Sequence, residues 1–401
     1  MIPRHSIHAL IHLSDFINLM TFKDASPDEI GNFEKEFARI CGCKYGVLTG
    51  SCRGALYTLL KIRKIKNVHL QPYTCKVVAD AVRYADCKLS FEDIELDTYG
   101  LSYESLKAKT VEGALIITHL YGCPSRDYKR LLSLAAEKGL FVIEDAAQSL
   151  GARYEGKPVG SLGDCAIFSF DLTKNTPVGA GGILVTNSEE IYTSVKRAME
   201  QARHFARGDL LVRMLLVFIV WLTTGNRRLY SFLSWLRERA GYIDTRLTMP
   251  EYGRDGVSGI YSCRFPTSLL SLASGVLGNY SEVTEARIKN AGIYHEYFRD
   301  RANIAVLPWG DSGKFRNVFL RYPVRINNIP KRELWGKFRQ KGIDVGDWFS
   351  DNILDWPQYK KYDCHCPNSN TAYEAVINLP VHQQLTKEDI EKVRKVVEEV
   401  C

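Results

Sequence analysis

No Cys-x-x-Cys pair occurs in this sequence, although it carries eleven cysteines. The nearest neighbours are Cys41 with Cys43 and Cys364 with Cys366. A zinc site or a disulfide framework needs better spacing, so no metal is expected. A reducing compartment is the simpler setting, with most thiols serving as small core residues. There is no long Lys/Arg run either. The formal charge of +7 is spread over 401 residues, which suits phosphates and nucleotides as ligands and argues against a nucleic-acid surface. Repeats and low-complexity tracts are absent. The N-terminal apolar stretch is broken by His8 and His12 and ends at Asp15 without a small-residue cleavage pattern, so a secretory leader is not expected.

What is present is ordinary globular composition, 45% hydrophobic and 25% charged, long enough for one large core and a second smaller unit. Residues 28–41 read as an amphipathic helix. From residue 44 to 190 strand patterns (KYGVLTGS, NVHLQPYTC, CKLSFEDI, GALIITHLYG, LFVIEDAAQS, CAIFSFD, GGILVTN) mostly alternate with helical ones, among them residues 55–64, 76–85 and 126–139. That alternation predicts an α/β fold with a mainly parallel sheet of about seven strands covered by helices. Ligands of such sheets bind beyond the carboxyl ends of strands. Residues 50–53, 145–148 and 169–174 fall there. Residues 191–208 read as one basic helix. The long helical region from residue 266 to about 299, the strand-like VFLRYPVRI and the helices KRELWGKFRQKG and TKEDIEKVRKVVEEV predict a smaller α+β unit, with Thr386 capping the last helix. The expected units are therefore 1–265, with an insertion at about 205–255, and 266–401.

Residues 210–236 differ in kind. Met214 to Leu222 are wholly apolar, and Arg203, Arg207, Arg227, Arg228, Arg237 and Arg239 flank the segment. Arg213 and Gly225 cut it below the roughly 20 apolar residues of a membrane-spanning helix. Two short helices in a membrane interface, or burial against the protein or a dimer partner, are both open readings.

The stretch VIEDAAQSLGARYEGKPVGSLGDCAIFSFDLTKNTPVGAGGILVT (142–186) closely resembles the DegT/DnrJ/EryC1/StrS family of sugar aminotransferases. The resemblance extends through GSCRGALYTLL, LQPYTCKVVADAV, THLYGCP and NLPVHQQLTKEDIEKV, and covers most of the chain outside about 205–255. It implies fold type I, pyridoxal 5'-phosphate (PLP) as cofactor, and a homodimer with shared sites. Lys174, five residues after Ser169, then matches the lysine that anchors the cofactor. A lysine in a partly desolvated pocket is a competent nucleophile and proton carrier. Asp145 matches the acid that pairs with the pyridine nitrogen, with Glu144 as the alternative. Gln148 matches the residue at the ring oxygen. Ser169 and the turn of Ser51 and Cys52 at a helix start match phosphate ligands. Arg53 either joins them or pairs on the surface. Relatives often place an aromatic at the position of Cys75, so either Cys75 or Tyr73 is expected against the ring. His119 is either near the cofactor or a core histidine. Two departures stand out. The family's Gly-Glu-Gly-Gly is Gly179, Ala180, Gly181 and Gly182 here, and Ser262 replaces an asparagine that reaches the neighbouring subunit's phosphate.

The expected function is transfer of an amino group, by family analogy from glutamate, to a keto-sugar, with a nucleotide carrier, in glycan, polysaccharide or secondary-metabolite biosynthesis. The alternatives are a PLP-dependent sugar dehydratase, which Lys174 opposes, and a non-catalytic membrane-associated relative. The expected location is the cytoplasm, with the inner membrane face as a site of contact.

Overall fold

The computed structural model describes residues 1–20, 23–109, 111–239, 259–309, 313–326, 329–347, 349, 351–362 and 364–400. The part of the expected insertion at 240–255 lies outside them. In chain order the helices are α1 (Leu13–Met20), α2 (Pro27–Ile40), α3 (Cys52–Ile62), α4 (Lys76–Tyr84), α5 (Tyr103–Lys107), α6 (Tyr128–Lys138), α7 (Glu189–Glu200), α8 (Arg207–Gly225), α9 (Arg227–Arg239), α10 (Leu270–Phe298), α11 (Lys331–Gln340), α12 (Pro367–Ala375) and α13 (Lys387–Val400). The strands are β1 (Tyr45–Thr49), β2 (Asn67–Leu70), β3 (Lys88–Phe91), β4 (Ala114–Thr118), β5 (Phe141–Asp145), β6 (Arg153–Tyr154), β7 (Lys157–Pro158), β8 (Cys165–Ser169), β9 (Gly182–Thr186), β10 (Ile304–Val306), β11 (Phe315–Arg316), β12 (Tyr322–Ile326) and β13 (Val376–Leu379).

The main sheet has seven strands in the order β1-β9-β8-β5-β4-β2-β3. The pairs from β3 to β8 are parallel, and β9 runs antiparallel to both neighbours. This is the expected mainly parallel α/β sheet. β4 and β9 are buried along their whole length, as strands covered by helices on both faces must be. The local chemistry is consistent with each element. Ser26 and Glu29 form a capping box with Pro27 at the first turn of α2, and Gly139, at φ 64°, ends α6 in the left-handed conformation.

A three-stranded antiparallel sheet, β10-β12-β13, carries α11 and α13 and shares a second core with the later part of α10. α10 bridges the two: Leu270 to Leu277 pack with the first core, and Ala291 to Phe298 with the second.

The basic helix expected over 191–208 is not continuous. α7 stops at Glu200. Beyond it the backbone of Arg203 pairs with Ser262 and Arg264, at 3.1 and 2.9 Å, which draws the chain out of the helix. Arg213 also fails to interrupt α8, which runs nineteen residues. Its guanidinium donates to the Gly179 carbonyl (3.4 Å) instead of facing an apolar medium. α8 is long and apolar enough by length and composition to cross a membrane, with 28% of its most apolar window buried.

The α8–α9 pair is strapped to the rest of the chain. Trp221 donates to the Ile11 carbonyl (2.8 Å) and stacks on His8 at 4.8 Å. Arg227 grips the Asp389 carboxylate, and the Tyr230 hydroxyl donates to Asp344. The outer face is apolar: Leu211, Val212, Leu215, Ile219 and Leu222 on α8, and Phe232, Trp235 and Leu236 on α9, are all exposed.

Candidate active site

Five strand ends converge at one edge of the main sheet. Thr118 lies opposite Asp145, Asp145 opposite Ile167, Ser169 opposite Gly182, and Gly182 opposite Thr49. The Gly50 turn is fixed there by backbone bonds: its N–H donates to Cys263 (2.9 Å) and its carbonyl accepts from Gly181 (3.1 Å). A Cβ at Gly50 would lie 2.4 Å from the Cys263 oxygen, and one at Gly182 would lie 2.6 Å from the Cys52 nitrogen. Only glycine at both positions lets the start of α3 sit against β9. Ser51 caps α3, its Oγ accepting from the Gly54 N–H at 3.0 Å.

Asp145, at the end of β5, is buried. Burial pushes its carboxyl pKa up, against the charge of Lys174, the N–H of Ala147 (3.2 Å to Oδ1) and His119. Lys174 is half-buried in the turn after β8, its N–H donating to the Asp171 carbonyl at 3.0 Å. Asp171 holds that turn, its Oδ1 accepting from the N–H (3.0 Å) and hydroxyl (2.7 Å) of Thr173. Burial also raises the Cys52 and Cys75 thiols, while the charges of Lys174 and Arg53 pull both down. Lys174, Asp145, Cys52, Cys75 and Arg53 therefore share one electrostatic neighbourhood. Ser169 borders it, its Oγ accepting from the Asp171 N–H at 3.3 Å.

The remaining expected residues are placed as follows. Gln148 is buried and accepts from the Tyr121 N–H (2.9 Å), which ties the loop after β5 to the turn after β4. Tyr73 is committed to the second core: its hydroxyl bonds to that of Tyr121 (2.6 Å), and Phe349 and Tyr373 meet its ring edge-on at 4.9 and 4.8 Å. Of the Tyr73/Cys75 alternatives, Cys75 is the one within the field of Lys174. His119 is fully buried, with Nδ1 accepting from the Ser125 N–H (3.2 Å) and Nε2 3.3 Å from the Glu144 carboxylate. Glu144 is spent on structure, accepting from the N–H groups of Gly160 (2.6 Å), Leu162 (2.9 Å) and Gly163 (2.6 Å). Burial opposes its charge, but the nearby His119 and Tyr128 side chains and the N–H bond from Gly163 outweigh it and keep its pKa low. Ser262 is exposed, and Arg53 bonds to the neighbouring Tyr261 hydroxyl. Asp171 was not singled out by sequence; it is a lone charge in a pattern that reads as a turn.

The model of the DegT/DnrJ/EryC1/StrS aminotransferase family matches residues 23–209 and 262–398. The chain belongs to this family. The gap between the matched segments contains nearly all of α8 and α9. The chain is 35% identical, over 91% of its length and 86% of the relative's, to a UDP-N-acetyl-3-dehydro-alpha-D-glucosamine 3-aminotransferase of Acidithiobacillus ferrooxidans. It is 24% identical, over 91% and 88%, to a UDP-4-amino-4,6-dideoxy-N-acetyl-beta-L-altrosamine transaminase of Campylobacter jejuni. Its fold matches the sugar aminotransferase CalS13 of Micromonospora echinospora with a TM-score of 0.77, all of both chains covered and 16% identity.

The protein is thus a PLP-dependent aminotransferase. The residues fit the cofactor. A buried carboxylate whose charge burial disfavours is available for a protonated ring nitrogen, and a single lysine shares its field. A capped helix start stands between two glycines that leave no room for a side chain.

Proposed function

We propose that this enzyme moves an amino group from an amino acid, glutamate, to a keto-sugar carried on a nucleotide, within polysaccharide or glycan biosynthesis. The observation that carries this reading is that Asp145, buried at the end of β5, and Lys174, half-buried in the turn after the neighbouring strand β8, lie at the same carboxyl edge of the sheet. When bound, PLP supplies the electron sink and carries the amino group between the two substrates. Lys174 anchors it and moves the proton at the substrate carbon. Asp145 holds the proton on the ring nitrogen, and Gln148 stands by the ring oxygen. Ser51, Cys52 and Ser169 bind the phosphate with Arg53 beside them, and Cys75 lines the ring. His119 acts through Glu144 and the loop of residues 160–163 as a positioning residue. The relatives' nucleotide-sugar substrates and the mild positive charge support the substrate class. Purified enzyme incubated with PLP should show a visible absorption band that L-glutamate shifts to shorter wavelength, and Lys174→Ala should lose that response.

The same reading places the enzyme in the cytoplasm as a homodimer, with Ser262 at the edge its partner approaches and the units 1–265 and 266–401 meeting along α10. It also places the exposed apolar face of α8 and α9 on the membrane surface. Eight large apolar side chains open to solvent on two adjacent helices, with Arg207, Arg227 and Arg228 at their ends, have the composition of an interfacial helix pair.

A further inference from the structure

Thr118 ends β4, is 3% exposed, and its hydroxyl has no hydrogen-bond partner. A buried hydroxyl left unbonded is costly, and valine would suit a strand buried along its whole length better. A hydroxyl kept at such a position calls for a role.

The strand register gives it a neighbour. Thr118 lies directly opposite Asp145 in the parallel β4–β5 pair. Side chains alternate between the two faces of a strand. Ala114 and Ile116 of β4 and Ile143 of β5 share one face and pack with α3 and α4. Thr118 and Asp145 continue that face two residues on. Leu115, Ile117 and Val142 take the other face and pack with α6. There His119 meets the Glu144 carboxylate (3.3 Å). The alternation therefore separates two pairs. His119 and Glu144 stand on the α6 side, and Thr118 and Asp145 stand on the side of Cys52, which opens α3, and Cys75, which precedes α4. Adjacent strands run about 4.8 Å apart, so opposed side chains on one face are nearest neighbours.

Asp145 has few other partners. Its opposite flank in the sheet is Ile167 of β8, whose side chain has no polar atom. Its Oδ1 accepts from the Ala147 N–H (3.2 Å), and among the described residues nothing donates to Oδ2. Burial works against its charge, with Lys174 the largest influence in its favour. A carboxylate oxygen accepts two hydrogen bonds, so Oδ2 can take a hydroxyl and a ring N–H together. Bonds to the charged form favour that form.

We propose that Thr118 is a positioning residue for the cofactor's ring nitrogen: its Oγ1 donates to Asp145 Oδ2 and fixes the carboxylate as the acceptor of the pyridinium N–H. The inference rests on the assignment of Asp145 to that nitrogen. Thr118 acts through the carboxylate alone and touches neither cofactor nor substrate.

The test reads cofactor affinity. Cofactor-free enzyme is titrated with PLP and with its deaza analogue, in which a C–H replaces the ring nitrogen. Thr118→Val removes the hydroxyl at nearly constant volume. It should keep or raise the thermal midpoint of the cofactor-free enzyme, because an unbonded buried hydroxyl is lost. It should weaken PLP binding about tenfold, the worth of a hydrogen bond to a charged group. Affinity for the deaza analogue should not change, because the analogue presents no proton to Asp145. Thr118→Ser keeps the hydroxyl and should bind PLP as wild type does. Equal weakening for PLP and the analogue, or Thr118→Ser as weak as Thr118→Val, would make Thr118 a packing residue and overturn the proposal. Asp145→Asn tests the assignment beneath it and should abolish the preference for PLP over the analogue. If Asp145→Asn abolishes it and Thr118→Val leaves it intact, the proposal alone fails. If Asp145→Asn leaves it intact, the Asp145 assignment fails and the proposal with it.

Discussion

Val217 of the inserted helix α8 packs directly on Gly179: a Cβ on that glycine would lie 2.5 Å from Val217 Cγ2. Gly179 begins the turn in which Ala180 stands where the family resemblance implies a glutamate, and Arg213 of the same helix reaches the Gly179 carbonyl. The insertion and the altered turn are one unit. Ala180 is buried beneath α8, where an unpaired carboxylate would be costly.

Gly179 has φ +92°, so Gly179→Ala combines backbone strain with a clash. A loss of about 1–3 kcal/mol in denaturant unfolding is expected. Val217→Ala in the same chain should recover only the clash. Full recovery would mean that the backbone conformation carries no strain.

Asp145 has its folded pKa raised by burial. For such a group the stabilisation is complete below the unfolded carboxyl pKa and is lost as pH rises through the folded value. Cofactor-free enzyme should lose stability across that window, and Asp145→Asn should flatten the profile and stabilise the cofactor-free form at neutral pH. The same variant should lower kcat by about 10²–10³-fold. Urea titrations across pH, with steady-state rates, check both halves.

Thr386 and Asp389 cap α13 reciprocally, with Asp389 Oδ2 accepting from the Thr386 N–H (2.9 Å) and Thr386 Oγ1 from the Asp389 N–H (3.2 Å). Burial works against the Asp389 charge, but Arg227 and the cap bonds prevail and lower its pKa. That contribution is present above the ordinary carboxyl pKa and fades as pH falls through the lowered one. Thr386→Ala should cost about 1 kcal/mol at neutral pH by thermal unfolding, and less in acid.

Leu215 and Phe232 are 58% and 55% exposed. Burying one such side chain in an acyl layer is worth roughly 1.5–3 kcal/mol. Leu215→Asp with Phe232→Ser should therefore cut partitioning onto anionic phosphatidylserine vesicles by tenfold or more in a flotation assay. Wild-type enzyme that does not float, and instead loses its dimer in the double variant, would assign the face to a subunit contact.

Much of the fold was legible because the local signals agreed with the final packing. The apolar run of β4, the close of α6 at Gly139 and the cap at Thr386 all appear where their residues place them. The strand ends at Asp145 and Ser169 meet at one edge, as a parallel sheet requires. Long-range bonds were not legible. α7 stops because Arg203 pairs with a strand of chain some sixty residues on, and α8 continues past Arg213 because a distant carbonyl receives its guanidinium. Tyr73 looked as available to the cofactor as Cys75, since a sequence does not show that Tyr121, Phe349 and Tyr373 will enclose it.

The most direct measurement of the central claim is the visible spectrum of PLP-loaded enzyme, wild type beside Lys174→Ala, before and after L-glutamate. Wild type should show a band that glutamate shifts, and the variant no such response. An identical response in both, or no band in wild type after incubation with PLP, would contradict it.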